Sequence, residues 1–348
     1  MKRAWTIVLA VVLSVSLRAQ PRQFKAGVGI SDISPTNFPV LVNAMFTERV
    51  ATNVVDRLNA RALVLDDGET RIAMCVVDSC MVPREIIDLA KSMVKDAAGI
   101  AIDHIMISAT HTHSAPSAMG CLGSRADTNY AAFLPGKIAE AIIQANSRRV
   151  PAKIGWAVTN DWNHTFNRRW IRRFDKMLTD PFGQQNVRAN MHPGHESPDA
   201  VGPSGPIDPA LSIIALQTTN GLPLAVFANY SQHYYGSPLL SSDYYGRFAK
   251  HVTEMLNATN EFLAIMSQGT SGDQMWMDYG APRKEIGYDA YAREIAEETF
   301  AAYKTIKFQD SVSLAIEESK LKLNYRTPDE ERLEWARKMA ASLGGRLP

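Results

Sequence analysis

His111 and His113 stand two residues apart, where the apolar run Ile105–Ala109 gives way to Thr, Ser and Pro. The run reads as a short buried strand that Ser114 and Pro116 end. Side chains two apart on a strand share a face, about 6.5–7 Å from each other. The two imidazoles are therefore expected on one side of a rigid strand end, where they could hold a metal ion or a polar substrate group. A pair of surface histidines has the same spacing, so the weight of the pair depends on the rest of the chain.

Three more expected strands stop at residues of similar kind. Arg71–Val77 is followed by Asp78, Pro223–Tyr230 by Ser231-Gln-His233, and the short run Phe262–Met266 by Gln268-Gly-Thr-Ser271-Gly-Asp273. In open α/β sheets, ligands sit beyond the carboxyl ends of the strands. Four such endings point to one shared site. Imidazoles and carboxylates together suit zinc, which polarises a carbonyl oxygen or activates water at neutral pH. Arg168 adds a fixed positive charge for an oxyanion or a carboxylate. Each residue also has a plainer reading. Asp78 and Asp243 suit helix caps, Arg168 belongs to a basic group with Arg169, Arg172 and Arg173, and Gly272-Asp273 suits a turn. A two-metal phosphoesterase and a ligand-binding protein without catalysis remain open beside a one-metal hydrolase.

The elements that must position these residues follow from the pattern. Ala60–Leu65 and Arg71–Val77 flank Asp66-Asp67-Gly68 as a hairpin, and a second hairpin turns at Asn220-Gly221. Helices are expected from Pro83 to about Val94, from Pro135 (in its first turn) to Asn146, after Asp243 to about Leu256, and from Tyr288 to Ile306. Residues 191–209 read as a long irregular loop with His192 and His195 in solvent. Residues 312–323 look strand-like, and a helix follows, with Thr327 as its cap and Pro328 in its first position. The fold class is α/β, a mixed β-sheet core with flanking helices and the site at strand carboxyl ends.

Composition adds bounds. The 348 residues are 46% hydrophobic with a formal net charge of +1, which gives no basic footprint for nucleic acid. Lys2 and Arg3 precede an apolar stretch to Leu17, the pattern of a secretory leader over residues 1–20, with cleavage near Ala19-Gln20 and export of the rest as one domain, 21–348. Three cysteines make no disulfide framework, and Cys75 reads as a core residue.

Several segments together resemble a family. Ala109-Thr-His-Thr-His-Ser-Ala-Pro116 is similar to the Gly-Thr-His-Thr-His-Ser-Gly-Pro motif of the neutral/alkaline, non-lysosomal ceramidases. Asn229-Tyr-Ser-Gln-His233, Ser241-Ser-Asp243-Tyr-Tyr-Gly246 and Phe166-Asn167-Arg168 resemble three more of their motifs, in the same order. The resemblance is to the N-terminal catalytic domain. It implies zinc-dependent hydrolysis of the amide of an N-acyl sphingoid lipid, with peripheral membrane contact. By motif, His111 and His233 are zinc ligands, His113 is a hydrogen-bonding residue of the reaction centre, and Arg168 contacts the substrate or an oxyanion. Asp273 joins the reaction centre, with Asp78, Asp243 and Ser271 as substrate or supporting contacts. One zinc is implied, its remaining ligands, a Glu and a Tyr, being expected beyond residue 348. In the family's Gly-Asp-x-Ser-Pro-Asn motif the serine is catalytic; here Met275 stands in its place.

Overall fold

The computed structural model describes residues 23–347. The expected leader, residues 1–20, lies outside them. Eight strands form one long mixed sheet: β1 (Lys25–Asp32), β2 (Asn59–Asp66), β3 (Arg71–Val77), β4 (Ile105–Ala109), β5 (Val150–Asn160), β6 (Ala210–Thr218), β7 (Pro223–Tyr230) and β8 (Leu263–Gln268). Their order is β8-β7-β6-β5-β1-β2-β3-β4. β1 and β5 share only the pairs Lys25–Pro151 and Ala26–Val150, so the sheet is nearly two sheets of four strands.

Alternation along the strands explains the layers. Ala60, Ala62 and Val64 of β2 and Ala73, Cys75 and Val77 of β3 pack under α1 (Arg84–Ala98) and α2 (Thr128–Ser147). On the other half, Ile213, Ala228 and Met266 pack under α3 (Asp243–Met255) and α4 (Tyr288–Tyr303). The opposite faces of both halves meet each other: Val28, Leu63, Leu65 and Val76 share one core with Ile154, Leu216, Phe227 and Ile265. β8 accordingly touches β2, β3 and β4. The result is four layers, helices outside two sheets that face each other.

This curl makes the site. β3 and β4 are parallel and joined through α1; β7 and β8 are parallel and joined through α3. Each crossover returns the chain in the same direction, so both strands of a pair end at the same edge. Curling brings the two pairs together with their carboxyl ends side by side. Both hairpins, over residues 66–68 and 220–221, form as expected.

Several expectations are corrected. α2 begins at Thr128, capped by Asp127, whose carboxylate accepts from Tyr130 N at 3.1 Å, so Pro135 lies inside the helix and not in its first turn. Residues 312–323 form no strand; Leu321 and Leu323 are 81% exposed, and alternation without a partner edge makes no sheet. The last helix, α5 (Glu330–Leu343), is capped by Asp329 and not Thr327. Within 191–209, Ala200–Pro203 pairs with Arg169–Arg172, so the loop is partly ordered as sheet. Among the described residues, no helix is long and apolar enough to cross a membrane.

Candidate metal and amide site

Three imidazoles converge at the meeting of the strand ends. The ring centres of His111 and His113 are 4.7 Å apart, those of His111 and His233 4.8 Å, and those of His113 and His233 5.3 Å. The Nε2 atoms of His111 and His113 lie 3.2 Å from each other. The pleat of a strand is not the cause. β4 ends at Ala109, and His111 takes a left-handed backbone with φ 67°, which turns its ring back toward His113.

The outer nitrogens fix the tautomers. His111 Nδ1 is 2.9 Å from the Cys80 carbonyl, and His233 Nδ1 is 3.1 Å from the Ser271 carbonyl. A carbonyl only accepts, so each Nδ1 carries the proton and each Nε2 keeps its lone pair. A backbone carbonyl behind the ring is the usual support of a metal-binding histidine. His113 Nε2 then donates to His111 Nε2, while its Nδ1 faces the Met45 sulfur at 3.5 Å. The Tyr234 ring stacks on His113 at 3.5 Å.

Electrostatics keep the trio neutral. Burial pushes His113 down to about 2, helped by His111, His233, Arg49 and Arg168. His233 is held at about 3, by burial and then by Arg168 and His111. His111 is lowered too, chiefly by burial. Neutral imidazoles are the metal-binding form. Donor atoms of Cys80, His111 and His113 lie within 4.8 Å of one another. The Cys80 sulfur sits on the Nδ1 side of His111, at 3.6 Å, and burial pushes its thiol up to about 12. The Nε2 lone pairs of His111, which accepts from His113 here, and of His233 are the better-prepared donors, and nitrogen donors of this kind fit zinc.

The other expected residues fall into two groups. Arg168 reaches the trio. Its Nε and Nη2 donate to the Gly272 carbonyl at 3.0 and 2.7 Å, and its backbone N–H donates to the Asp273 carbonyl at 2.8 Å. The short pairing of Phe166–Asn167 with Gln274–Met275 holds these segments side by side. Ser271 faces His233 through its carbonyl, and the Asp273 side chain is half-buried beside Arg168. Met275 is buried within that pairing. Asp78 and Asp243 instead lie fully buried beneath the site. Asp78 accepts from Arg61 at 2.6 Å and from Asn59 N at 2.9 Å. Asp243 accepts from the backbone of Tyr235, Gly236 and Tyr244, which fixes the turn after His233. Burial raises both carboxyls.

Sequence reasoning missed Met45, Arg49, Cys80 and Tyr234. Cys80 and Tyr234 adjoin residues that were identified, and their places next to strand ends were a usable signal. Met45 and Arg49 come from the segment before the first hairpin, where no local pattern marks them. His192 and His195 are not free in solvent: His192 bonds the Tyr279 hydroxyl, and His195 the Ala281 carbonyl at 2.9 Å.

No family model matches the chain. Neutral ceramidase A of Dictyostelium discoideum is 24% identical over 277 residues, covering 72% of this chain and 35% of that protein. The crystal structure of neutral ceramidase from Pseudomonas aeruginosa matches with a TM-score of 0.61 and 19% identity, over 82% of this chain and 44% of that one. A ceramidase complexed with C2 matches with the same TM-score and coverage. The chain thus spans less than half the length of these relatives. Over most of its own length, the chain is similar in sequence to a neutral ceramidase and has the neutral ceramidase fold.

Proposed function

We propose that the chain is a zinc-dependent hydrolase of a linear, lipid-like N-acyl amide, carried by an exported domain spanning 21–348. The observation that carries this reading is the pair of Nε2 lone pairs, on His111 and His233, each prepared by a backbone carbonyl behind its ring. These two residues would hold the ion. Bound zinc would polarise the amide carbonyl and supply a nucleophile at neutral pH.

This chain's own residues do the rest. Once the His111 lone pair is committed, the N–H at His113 Nε2 is free to donate to the oxyanion that develops on the amide oxygen. Tyr234 holds that ring in place by stacking. Arg168, anchored on the Gly272 carbonyl, adds positive charge to the same oxyanion without reorganising. Asp273, whose charge bears on Arg168, would contact the departing amine. Asp78 and Asp243, both fully buried, would position the strand ends, and the Ser271 carbonyl would orient His233.

The test is zinc content and amide turnover of the purified protein beside His111→Ala and His233→Ala. Near one zinc per chain, lost in both variants together with acyl release from a short-chain ceramide, supports the reading. Metal-free protein at saturating zinc, in this chain and with any natural extension past residue 348, overturns it. One observation favours a ligand-binding relative without catalysis: Met275 offers no hydroxyl where the resembling motif has one. Zinc binding without turnover of any N-acyl amide would establish that second reading.

A further inference from the structure

The imidazole site holds two guanidinium groups with no carboxylate bonded to either. Arg168 donates only to backbone carbonyls, Gly272 and Asp273. Arg49 donates from Nη2 to the carbonyls of Asn43, at 2.5 Å, and His113, at 2.6 Å, and its Nε–H is buried without a partner. Neither forms an ion pair among the described residues. Their neighbours behave differently: Arg125 pairs with Glu48 and Arg172 with Asp199. Asp273, whose charge bears on Arg168, is half-exposed, and its carboxylate makes no bond to the guanidinium.

Both charges bear on the site. Arg168 acts on all three imidazoles, and Arg49 acts on His113 and Tyr234. A cation partly withdrawn from water without a counter-ion is unfavourable, so its placement needs an account. Carbonyl tethers fix both groups and leave both charges unspent. One is used by the oxyanion in the hydrolase reading. A neutral amide leaves the second with nothing to bind, whereas a planar guanidinium matches a carboxylate or phosphate.

Resting on that hydrolase reading, we propose that the amide carries an anionic group on its amine portion, a carboxylate or a phosphate monoester, held by Arg49. The site then selects anionic N-acyl amides over neutral ones.

The test is equilibrium binding to the zinc-loaded protein of three probes with one acyl chain: N-octanoylglycine, N-octanoylethanolamine and the O-phosphate of the latter. Either anionic probe is expected to bind at least tenfold more tightly than the neutral one, and the better of the two identifies the group. In Arg49→Gln the preference is expected to fall to near onefold, and in Arg49→Lys to remain in part, which separates lost charge from a disturbed loop. Equal binding of all three probes, or a full preference kept in Arg49→Gln, overturns the proposal. Tight anion binding without cleavage would keep it and sink the hydrolase reading. Cleavage of the neutral amide with no anion preference would do the reverse.

Discussion

At the residue scale, the neutrality of the imidazoles has a measurable consequence. A free histidine near its ordinary value of about 6.5 is about 90% protonated at pH 5.5, so two such ligands would lose about 100-fold in metal affinity between pH 7.5 and 5.5. Burial and neighbouring cations hold His233 at about 3 and lower His111 as well. Protons therefore compete weakly, and zinc affinity is expected to change by less than about tenfold over that interval. A competition titration at both pH values checks this; a 100-fold loss would mean that the rings are solvated. The chemistry of these residues was legible in sequence because His and Asp followed apolar runs. Their geometry was not. The left-handed turn at His111 and the approach of Met45 and Arg49 depend on contacts that no spacing records.

At the element scale, the closest fit in the scaffold is α2 on β1. A Cβ at Gly29 would lie 2.1 Å from the Ala141 carbonyl and 2.6 Å from Ala145 N, both backbone atoms that cannot turn aside. Gly29→Ala is thus expected to destabilise by about 1–3 kcal/mol or more, as overpacking does. Gly136 in the same helix is exposed, and a Cβ there would meet nothing within 4 Å. Gly136→Ala is expected to stabilise by about 0.5–1 kcal/mol through helix propensity. Opposite shifts of the denaturation midpoint in urea would confirm both, and two shifts of one sign would refute the packing account. The strands and hairpins were legible from alternation and turn residues. The start of α2 was not. The rule that places proline in a first turn pointed to Pro135, whereas the Asp127 cap and the buried Tyr130 and Leu134 extend the helix before it.

At the scale of the whole molecule, alternation marked two faces on each strand but did not say that the two sheet halves face each other, because that depends on the few pairs joining β1 to β5. The half carrying His233 has its own long-range clamp. His164 is buried; its Nδ1 is 2.8 Å from Asp161, and its Nε2 is 2.8 Å from Glu294 of α4. Asp161 also accepts from the Tyr230 hydroxyl at the end of β7, and Lys284 lies 3.4 Å from Glu294. Burial opposes charge on His164, but bonds to the two carboxylates outweigh it, and its value is raised. The sign follows from linkage. A raised histidine contributes stability that is complete below the unfolded value of about 6.5 and is lost as pH climbs through the folded value. Read at pH 6 and again at pH 8.5, the Tm difference between the wild type and His164→Gln is therefore expected to be larger at pH 6; the opposite pull of the lowered His111, His113 and His233 is common to both proteins and cancels. His164→Gln cannot be charged, and it is expected to melt below the wild type at pH 6 and closer to it at pH 8.5. Parallel profiles would show that the clamp is neutral in the native state. The loss in His164→Gln should leave zinc content unchanged, since His164 binds carboxylates away from the three converging rings.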